Sequence, residues 1–352
     1  MGSSRPLSFS VTKGIIGSRS NVEQRVSWPR NGQVASVAVL TYNLSGFRPI
    51  KERANTMPYL KPERPEKVSA PSLKASKERG ERLVCLTAYD YPTARIVDEA
   101  GIDIILVGDS LGNVVLGYGN TVPVTLEEIL VHVKAVRRGV QRALLVADMP
   151  YGSFHTGADD TVRAALKLVK EGEAEAVKLE GGRKRVRLVR RLVNEEIAVM
   201  GHIGLTPQSI NQLGAYRVQG KTADAARQLL DDAYALEDAG AFAIVLELVP
   251  REIAEMITEN IAIPTVGIGA GAHCDIQVLV FHDLLGMAFG KLPRFVREYA
   301  NLRETITEAV TRWAEDVRSG AYPSDAESYG LPANAAEELK IETKSKLKLK
   351  QS

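Results

Sequence analysis

Residues 165–181 read ALKLVKEGEAEAVKLEG, and this stretch contains the structural unit that decides the fold. ALKLVKEG (165–172) spaces its apolar residues as a helix does and ends in a glycine, which can take the left-handed conformation of a helix cap. AVKLEG (176–181) follows closely. Short apolar runs of this kind are typical of strands that are buried on both faces of a parallel sheet. The stretch therefore predicts a helix that leads directly into a buried strand.

The same unit recurs along the chain. ARIVDEAG (94–101) and DDAYALEDAG (231–240) also end in glycine just before an apolar run. TLEE, which begins at Thr125, has the spacing of a capping box with Glu128 and predicts a helix through Arg138. Eight apolar runs are predicted strands: residues 83–88, 102–108, 143–149, 176–181, 197–204, 242–249, 263–270 and 284–290. Eight strand–helix units favour an α/β fold of the (β/α)8 TIM barrel type over an open doubly wound sheet.

Composition restricts the class of protein. The 352 residues are 45% hydrophobic and 25% charged with a formal net charge of +2, which indicates a soluble globular protein and favours neither nucleic acid nor membrane as a partner. Cys85 and Cys274 lie far apart without CxxC spacing, so the sequence predicts neither a zinc site nor a disulfide framework. No apolar run approaches the roughly 20 residues of a membrane-spanning helix.

Both ends differ from the central region. Residues 1–70 are predicted to be a disordered extension or linker, with a Pro-, Lys- and Glu-rich linker over residues 58–77. The first carboxylate is Glu23, and the preceding residues are rich in Ser and basic side chains. This composition fits either a transit peptide with an organellar (mitochondrial) destination, or an upstream translated stretch before a true start at Met57 in a cytoplasmic protein.

The catalytic domain is predicted over residues 71–331, with a final helix over residues 293–319 outside the barrel. A lysine-rich, disordered tail is predicted for residues 332–352. Both boundaries follow from composition: the apolar runs with strand character stop well before the tail begins.

In a barrel of this type the catalytic groups lie at the C-terminal ends of the strands, because the loops that follow the strands converge there. The polar residues at these ends are Asp109, Ser110, Asp148, Lys178, Glu180, His202 and Glu247. Buried carboxylates are costly unless they are paired, hydrogen-bonded or bound to a metal. Oxygen ligands without Cys favour Mg²⁺ over Zn²⁺.

Each of these residues also has a simpler interpretation. An Asp after Gly, as at Asp109, is often a turn residue or a helix N-cap. Glu247 interrupts an apolar strand and could pair with Lys178, or it could act as a general base. His202 is more often a hydrogen-bonded core residue than a catalyst, so it is a pocket candidate only.

For three further sequence features, the functional interpretation has weaker support than it has for the strand-end residues. GIGAG (267–271) could bind phosphate on backbone amides, although a lone glycine cluster is weak support and tight turning is the default explanation. The basic run RKRVRLVRR (183–191) could bind RNA, but it begins a predicted helix, and a solvated basic face is the simpler explanation. Cys85 is interpreted as packing within an apolar strand.

Taken together, the motifs resemble one family. LTAYDYPTA, LVGDSLGNVVLGYGNTVPVT, ADMPYGSF, VKLEGG, GHIGLTPQ, VLELVP and VGIGAG occur in the order typical of the ketopantoate hydroxymethyltransferase family, over about residues 68–331. The resemblance implies a (β/α)8 barrel assembled as a homo-oligomer, commonly a decamer. It also implies a role in pantothenate synthesis toward coenzyme A.

The resemblance also implies roles for residues. Asp109, Asp148 and Glu180 match the Mg²⁺ positions, Glu180 through water, with one Mg²⁺ per subunit. Asp109, Ser110, Asp148 and Lys178 match the positions that contact the keto acid, and Glu247 matches the general base. The implied reaction deprotonates 3-methyl-2-oxobutanoate and adds the one-carbon unit of the co-substrate 5,10-methylenetetrahydrofolate.

One residue departs from the family pattern. Ile276 occupies a position where the family usually has Gly, and a positive φ there would strain the backbone. Two alternatives to the family function stay open: a Mg²⁺-dependent barrel lyase or aldolase on a related α-keto acid, and a non-catalytic RNA-binding scaffold.

Overall fold

The computed structural model describes the backbone of residues 11–14, 21–30 and 33–43, and residues 66–335 and 337–340 in full. The chain divides into two compact units, residues 1–58 and 59–352.

The first unit contains an antiparallel sheet of three strands in the order β1-β2-β3. Their bounds are Val11–Gly14 (β1), Asn21–Arg30 (β2) and Gln33–Asn43 (β3). Residues 1–70 were predicted to be a disordered extension or linker, so these three strands were not predicted. The sequence 34–42, VASVAVLTY, is rich in the β-branched residues that strands favour. The other residues before Glu66 lie outside the described part of the chain.

The second unit contains a closed barrel of eight parallel strands, which confirms the predicted (β/α)8 fold. The barrel strands are Leu83–Thr87 (β4), Ile104–Val107 (β5), Leu144–Asp148 (β6), Ala176–Glu180 (β7), Val199–Gly204 (β8), Ala243–Glu247 (β9), Thr265–Ile268 (β10) and Ile276–Leu279 (β11). β11 pairs with β4 and with β10, which closes the sheet on itself. All eight strand C-termini therefore meet at one end of the barrel.

The predicted eighth strand, residues 284–290, is wrong. The eighth strand is β11, which comes before that segment, and Phe281–Leu284 forms a short helix. β11 alternates between buried Ile276 and Val278 and exposed Gln277, so it lacks the continuous apolar run that marks the other strands. Ile276 has an ordinary strand backbone and is buried, so the substitution of Ile for Gly introduces no strain from a positive φ.

The described residues also contain helices. They are Ala70–Glu78 (α1), Tyr91–Glu99 (α2), Leu111–Val114 (α3), Leu126–Arg137 (α4), Ala158–Lys170 (α5), Val186–Asn194 (α6), Ile210–Leu213 (α7), Ala223–Asp238 (α8), Arg251–Asn260 (α9), Phe281–Leu284 (α10) and Leu302–Ser319 (α11). One core lies between strands and helices, and a second lies inside the barrel. The predicted capping box of Thr125 and Glu128 is present at the start of α4.

The prediction of a linker over residues 58–77 is wrong from Ala70 onward, because these residues form helix α1. Ser69 caps α1 in a reciprocal arrangement with Ser72, which the Pro/Lys/Glu composition of this stretch did not indicate. Leu73 is almost completely buried among the interior residues of the barrel. α1 therefore contributes to the barrel core instead of acting as a linker.

The predicted glycine caps hold at two of three helix ends. Gly101 and Gly240 both have positive φ, at 87° and 94°. After α5 the left-handed residue is Glu173, with φ 56°, and Gly172 is not among the residues with positive φ. A Cβ on Gly172 would lie 2.8 Å from Val133 Cγ1, so close packing requires this glycine.

The last predicted helix begins later than expected. α11 starts at Leu302, where the Asn301 side chain accepts a hydrogen bond from Glu304 N. Pro293 has no comparable capping residue before it, which explains why the helix does not begin there. The lysine-rich tail beyond Lys340 lies outside the described residues. Among the described residues, no helix is both long and apolar enough to cross a bilayer.

Candidate active site

A cavity of about 1070 Å³ opens at the C-terminal end of the barrel strands. All seven polar residues that the sequence analysis placed at the strand ends line it: Asp109, Ser110, Asp148, Lys178, Glu180, His202 and Glu247. They come from five different strands or the residues just after them, so the parallel barrel brings together side chains up to 138 positions apart in the sequence (247 minus 109). The predicted convergence is therefore observed, whereas the role of each residue stays a prediction.

Lys178 is the buried cation of this cavity. Its Nζ lies 3.0 Å from Asp148 Oδ1, and both side chains are at most 6% exposed. Burial alone would lower the pKa of Lys178, but Asp148, Asp109 and Glu180 outweigh that effect and hold the pKa above its usual range. Lys178 is therefore an ammonium ion whose charge is directed at the carboxylates.

The carboxyl groups outnumber this cation. Burial raises the pKa of Asp148 to about 7 in spite of Lys178, and it also raises the pKa of Asp109. Burial, with the nearby charge of Asp109, raises the pKa of Glu180 well above its usual range. One ammonium does not compensate three buried carboxylates, so an additional cation would favour their ionised forms.

Gln208 links these carboxyl groups, and sequence analysis did not single it out. Its side-chain Nε2 donates to Asp109 Oδ2 at 2.8 Å and to Met149 O at 3.1 Å. Its backbone N–H donates to Glu180 Oε2 at 3.0 Å. One buried residue thus fixes the positions of two of the predicted metal ligands. The one sequence feature that could have indicated Gln208 is its position shortly after the end of β8, in the motif GHIGLTPQ.

Asp109 and Asp148 are also tied to each other, because Asp109 N donates to Asp148 Oδ2 at 2.9 Å. Gly108 makes this close approach possible, since a Cβ there would lie 2.9 Å from Ser110 Oγ and 3.4 Å from Asp148 Oδ2. Ser110 Oγ in turn lies 2.8 Å from the hydroxyl of the buried Tyr89. The hydroxyl of Ser110 is therefore fixed at the wall of the cavity.

His202 lies between Lys178 and Glu247. Its Nδ1 is 3.3 Å from Lys178 Nζ, and its Nε2 is 3.3 Å from Glu247 Oε2. Burial, reinforced by the charge of Lys178, lowers the pKa of His202 and favours the neutral ring. Because an ammonium can only donate, Nδ1 is the acceptor and the ring proton belongs on Nε2, facing Glu247. The Nε2–H of His202 is therefore directed toward the Glu247 carboxylate.

Glu247 differs from the other carboxylates in its accessibility. Its side chain is 17% exposed, against 4% for Glu180, so it faces the open part of the cavity. The next residue, Leu248, has a φ of 47°, which is unusual for a side chain of this size. This left-handed residue turns the chain away from the barrel directly after Glu247. Glu247 is therefore placed where a substrate can reach it.

The oxygen-rich set fits a hydrated Mg²⁺ ion. Within the described residues, no three His, Cys, Asp or Glu side chains are grouped closely enough to hold an ion by themselves. Mg²⁺ typically uses one or two carboxylates and keeps several waters or substrate oxygens, so a complete protein cage is not required. Glu180 Oε1 and Gln208 Oε1 are buried without a hydrogen-bond partner and could accept from such waters.

The other motifs have structural explanations. In the basic run 183–191, Arg183 pairs with Asp232, and Arg190 pairs with Asp238. Apolar residues of the same segment face the core. These contacts favour the interpretation as a helix with a solvated basic face. In GIGAG, Gly269 has a φ of 62° and lies against the ring of Phe295, so tight turning accounts for it.

Comparison with known proteins identifies the family. The model of the ketopantoate hydroxymethyltransferase family matches residues 67–325. The chain belongs to this family. A 3-methyl-2-oxobutanoate hydroxymethyltransferase of Koribacter versatilis is 55% identical over 275 residues, which cover 78% of this chain and 93% of the relative. The enzyme of the same name from Carboxydothermus hydrogenoformans is 53% identical over 274 residues, with 78% and 99% covered.

Solved structures with a similar fold are more distant from this ketopantoate hydroxymethyltransferase family member. A phosphonopyruvate hydrolase in complex with oxalate and Mg²⁺ has a TM-score of 0.48 at 13% identity, covering 80% of this chain and 97% of the other. A 2,3-dimethylmalate lyase has the same score at 17% identity, covering 82% and 100%.

Gln208 gives a first prediction. Gln208→Met keeps the volume but removes the bond to Asp109, leaving a buried carboxylate oxygen without its donor. We expect the free energy of unfolding to fall by about 1–3 kcal/mol and the affinity for Mg²⁺ to weaken, because Asp109 is no longer fixed. Urea unfolding and calorimetric titration with Mg²⁺ measure the two effects. Gln212→Met, in the nearby helix α7 and outside this network, is the control; equal losses in both variants would contradict the assignment.

Proposed function

We propose that the chain transfers a hydroxymethyl group from 5,10-methylenetetrahydrofolate to 3-methyl-2-oxobutanoate and forms 2-dehydropantoate (ketopantoate). The observation that carries this proposal is the arrangement of Glu247, His202 and Lys178 in one cavity: an accessible carboxylate, an imidazole beside it and a buried ammonium. Family membership supports the same reaction.

The first step is proton removal from C3 of the keto acid. This hydrogen is acidic because the neighbouring keto group can accept the electron pair as an enolate. Glu247 takes the proton, and His202 keeps its carboxylate oriented through Nε2. Lys178 is the cation that stabilises the negative charge that develops on the keto oxygen.

The second step forms the carbon–carbon bond. Water first adds to the methylene carbon of the folate, and both of its bonds to nitrogen break, so that tetrahydrofolate forms with the two water hydrogens on its nitrogens and the carbon is released as formaldehyde. C3 of the enolate then attacks this carbon, and the resulting alkoxide takes back the proton that Glu247 removed, so the hydroxyl oxygen comes from water. The products are ketopantoate and tetrahydrofolate. Ser110 and Asp109, which are fixed by Tyr89 and Gln208, position the keto acid during both steps.

One Mg²⁺ per subunit completes the proposed site. Asp109 and Asp148 would hold it directly and Glu180 through water, and the ion would supply Lewis-acid polarisation of the keto group. The donor set and the uncompensated carboxylates described above support this choice. A homodecamer and a cytoplasmic location are further proposals, for which the family resemblance is the support.

The direct test is product formation from purified full-length protein. The keto acid and 5,10-methylenetetrahydrofolate are supplied with Mg²⁺ or with EDTA, and ketopantoate is measured by mass spectrometry. We expect product only when both substrates and Mg²⁺ are present. Product formation that is unaffected by EDTA would contradict the metal assignment, and absence of product under all conditions would contradict the proposed reaction.

A further inference from the structure

Asp283 is a carboxylate in the wall of the cavity that the proposed mechanism does not use. It belongs to the short helix α10 after the last barrel strand, and its side chain is half-buried. Its carboxylate forms no hydrogen bond or ion pair with any described residue, and burial raises its pKa. A half-buried acid without a partner is costly unless a ligand provides donors.

Asp283 is held close to the region proposed for the keto acid. Phe281 N donates to Thr87 Oγ1 at 2.9 Å, which fixes the start of α10 to strand β4. The ring of His282 lies 5.6 Å from the ring of Tyr89, the residue that contacts Ser110. Helix α10 is therefore anchored next to Tyr89, and the Asp283 carboxylate lines the same cavity as Ser110 without an ion pair or hydrogen bond to the cluster around Lys178.

The segment after α10 adds apolar and basic side chains to the wall of the cavity. Met287, Leu292 and Phe295 contribute apolar surface to the wall. Lys291 and Arg294 line the same wall, and neither forms an ion pair with a described acid. One acid, apolar side chains and two cations without an ion-pair partner among the described residues thus occupy a stretch of thirteen residues, 283–295, in the cavity wall. A matching ligand combines hydrogen-bond donors, a flat apolar body and negative charge.

We propose that Asp283 binds the donor edge of the folate pteridine, accepting hydrogen bonds from N3–H and the 2-amino group. This inference rests on the proposed function, because it assigns the site of that reaction's one-carbon donor. Two parallel donors match the two oxygens of a carboxylate in bidentate geometry. The glutamyl carboxylates of the folate then extend to Lys291 and Arg294. The cavity volume supports this occupant, since it far exceeds the needs of a small keto acid.

The test compares two ligands with three proteins. The ligands are tetrahydrofolate and its 2-desamino-2-methyl analogue, and the proteins are the unchanged chain, Asp283→Asn and Asp325→Asn. Asp325 is exposed and lies outside the cavity, so its variant controls for the loss of one negative charge. Equilibrium dissociation constants are measured by calorimetry in the presence of Mg²⁺ and the keto acid.

We expect the unchanged chain and Asp325→Asn to bind tetrahydrofolate about 10- to 100-fold more tightly than the analogue, the range for hydrogen bonds to a charged group. Asp283→Asn should lose that preference and bind keto acid normally. Equal affinity of the unchanged chain for both ligands would overturn the inference, as would a preference that survives in Asp283→Asn. If the unchanged chain makes product but shows no preference, only the Asp283 assignment fails; if it makes no product, the proposed function fails as well.

Discussion

Glu247→Gln is expected to lower kcat for hydroxymethyl transfer by about 10²- to 10⁴-fold, the usual contribution of a general base. The amide has nearly the same shape as the carboxylate but cannot take a proton from C3. Because Asp109, Ser110, Asp148 and Lys178 remain in place, the dissociation constant of the keto acid should change little. Steady-state kinetics and calorimetric titration with the keto acid separate the two quantities.

Glu259→Gln is a matched control for this variant. Glu259 is exposed on α9, the helix that follows the strand of Glu247, and it is not part of the cavity wall. Its replacement should leave kcat unchanged. If Glu247→Gln kept the full kcat, or lost activity only through weaker keto-acid binding, Glu247 would not be the base.

The second large effect is expected from Lys178→Met. This change removes the only ammonium among the buried groups of the described cavity and leaves Asp148 without its partner at 3.0 Å. Breaking a buried ion pair by removing one partner typically costs about 3–5 kcal/mol of unfolding free energy. The loss should be measured by urea unfolding in EDTA, so that no added cation compensates, and activity should be lost too.

The pH dependence of this loss has a defined sign. The pKa of Asp148 is already raised to about 7 in the folded chain, and removal of Lys178 raises it further. At low pH the carboxyl is protonated and needs no cation, so the loss should be smaller at pH 5 than at pH 8. A loss that grew as pH fell would contradict this description of the pair.

Two further variants show whether the pair itself is responsible. In Lys178→Met with Asp148→Asn, the uncompensated carboxylate is absent, so we expect the double variant to recover part of the stability. Lys134→Met removes an exposed lysine paired with Glu171 and should cost less than about 1 kcal/mol. A loss in Lys134→Met equal to that in Lys178→Met would show that lysine removal, and not the buried pair, is responsible.

The sequence was sufficient to predict most of the barrel because most of its strands are short, mainly apolar runs that are buried on both faces, for example Leu144–Asp148. It was not sufficient for β11, where exposed Gln277 interrupts the apolar pattern. Helix α1 was missed because its Pro and Lys content resembles a linker, whereas its stability comes from the burial of Leu73.

The site residues that could be predicted are those at the ends of the barrel strands. Polar side chains at the ends of apolar strands, such as Asp148 and Glu247, stand out in the sequence and converge by the geometry of the barrel. Gln208 reaches Asp109 across 99 sequence positions through a side-chain hydrogen bond, which no local pattern indicates. Asp283 comes directly before residues 284–290, which were predicted as a strand, so its place in the cavity wall became visible only with the fold.

Exchange of the C3 hydrogen of 3-methyl-2-oxobutanoate in D₂O, followed by NMR without any folate, tests most directly whether this cavity removes that proton. We expect exchange that depends on the protein and on Mg²⁺, and that falls strongly in Glu247→Gln but not in Glu259→Gln. Exchange at the same rate in the unchanged chain and in Glu247→Gln would show that Glu247 does not remove this proton.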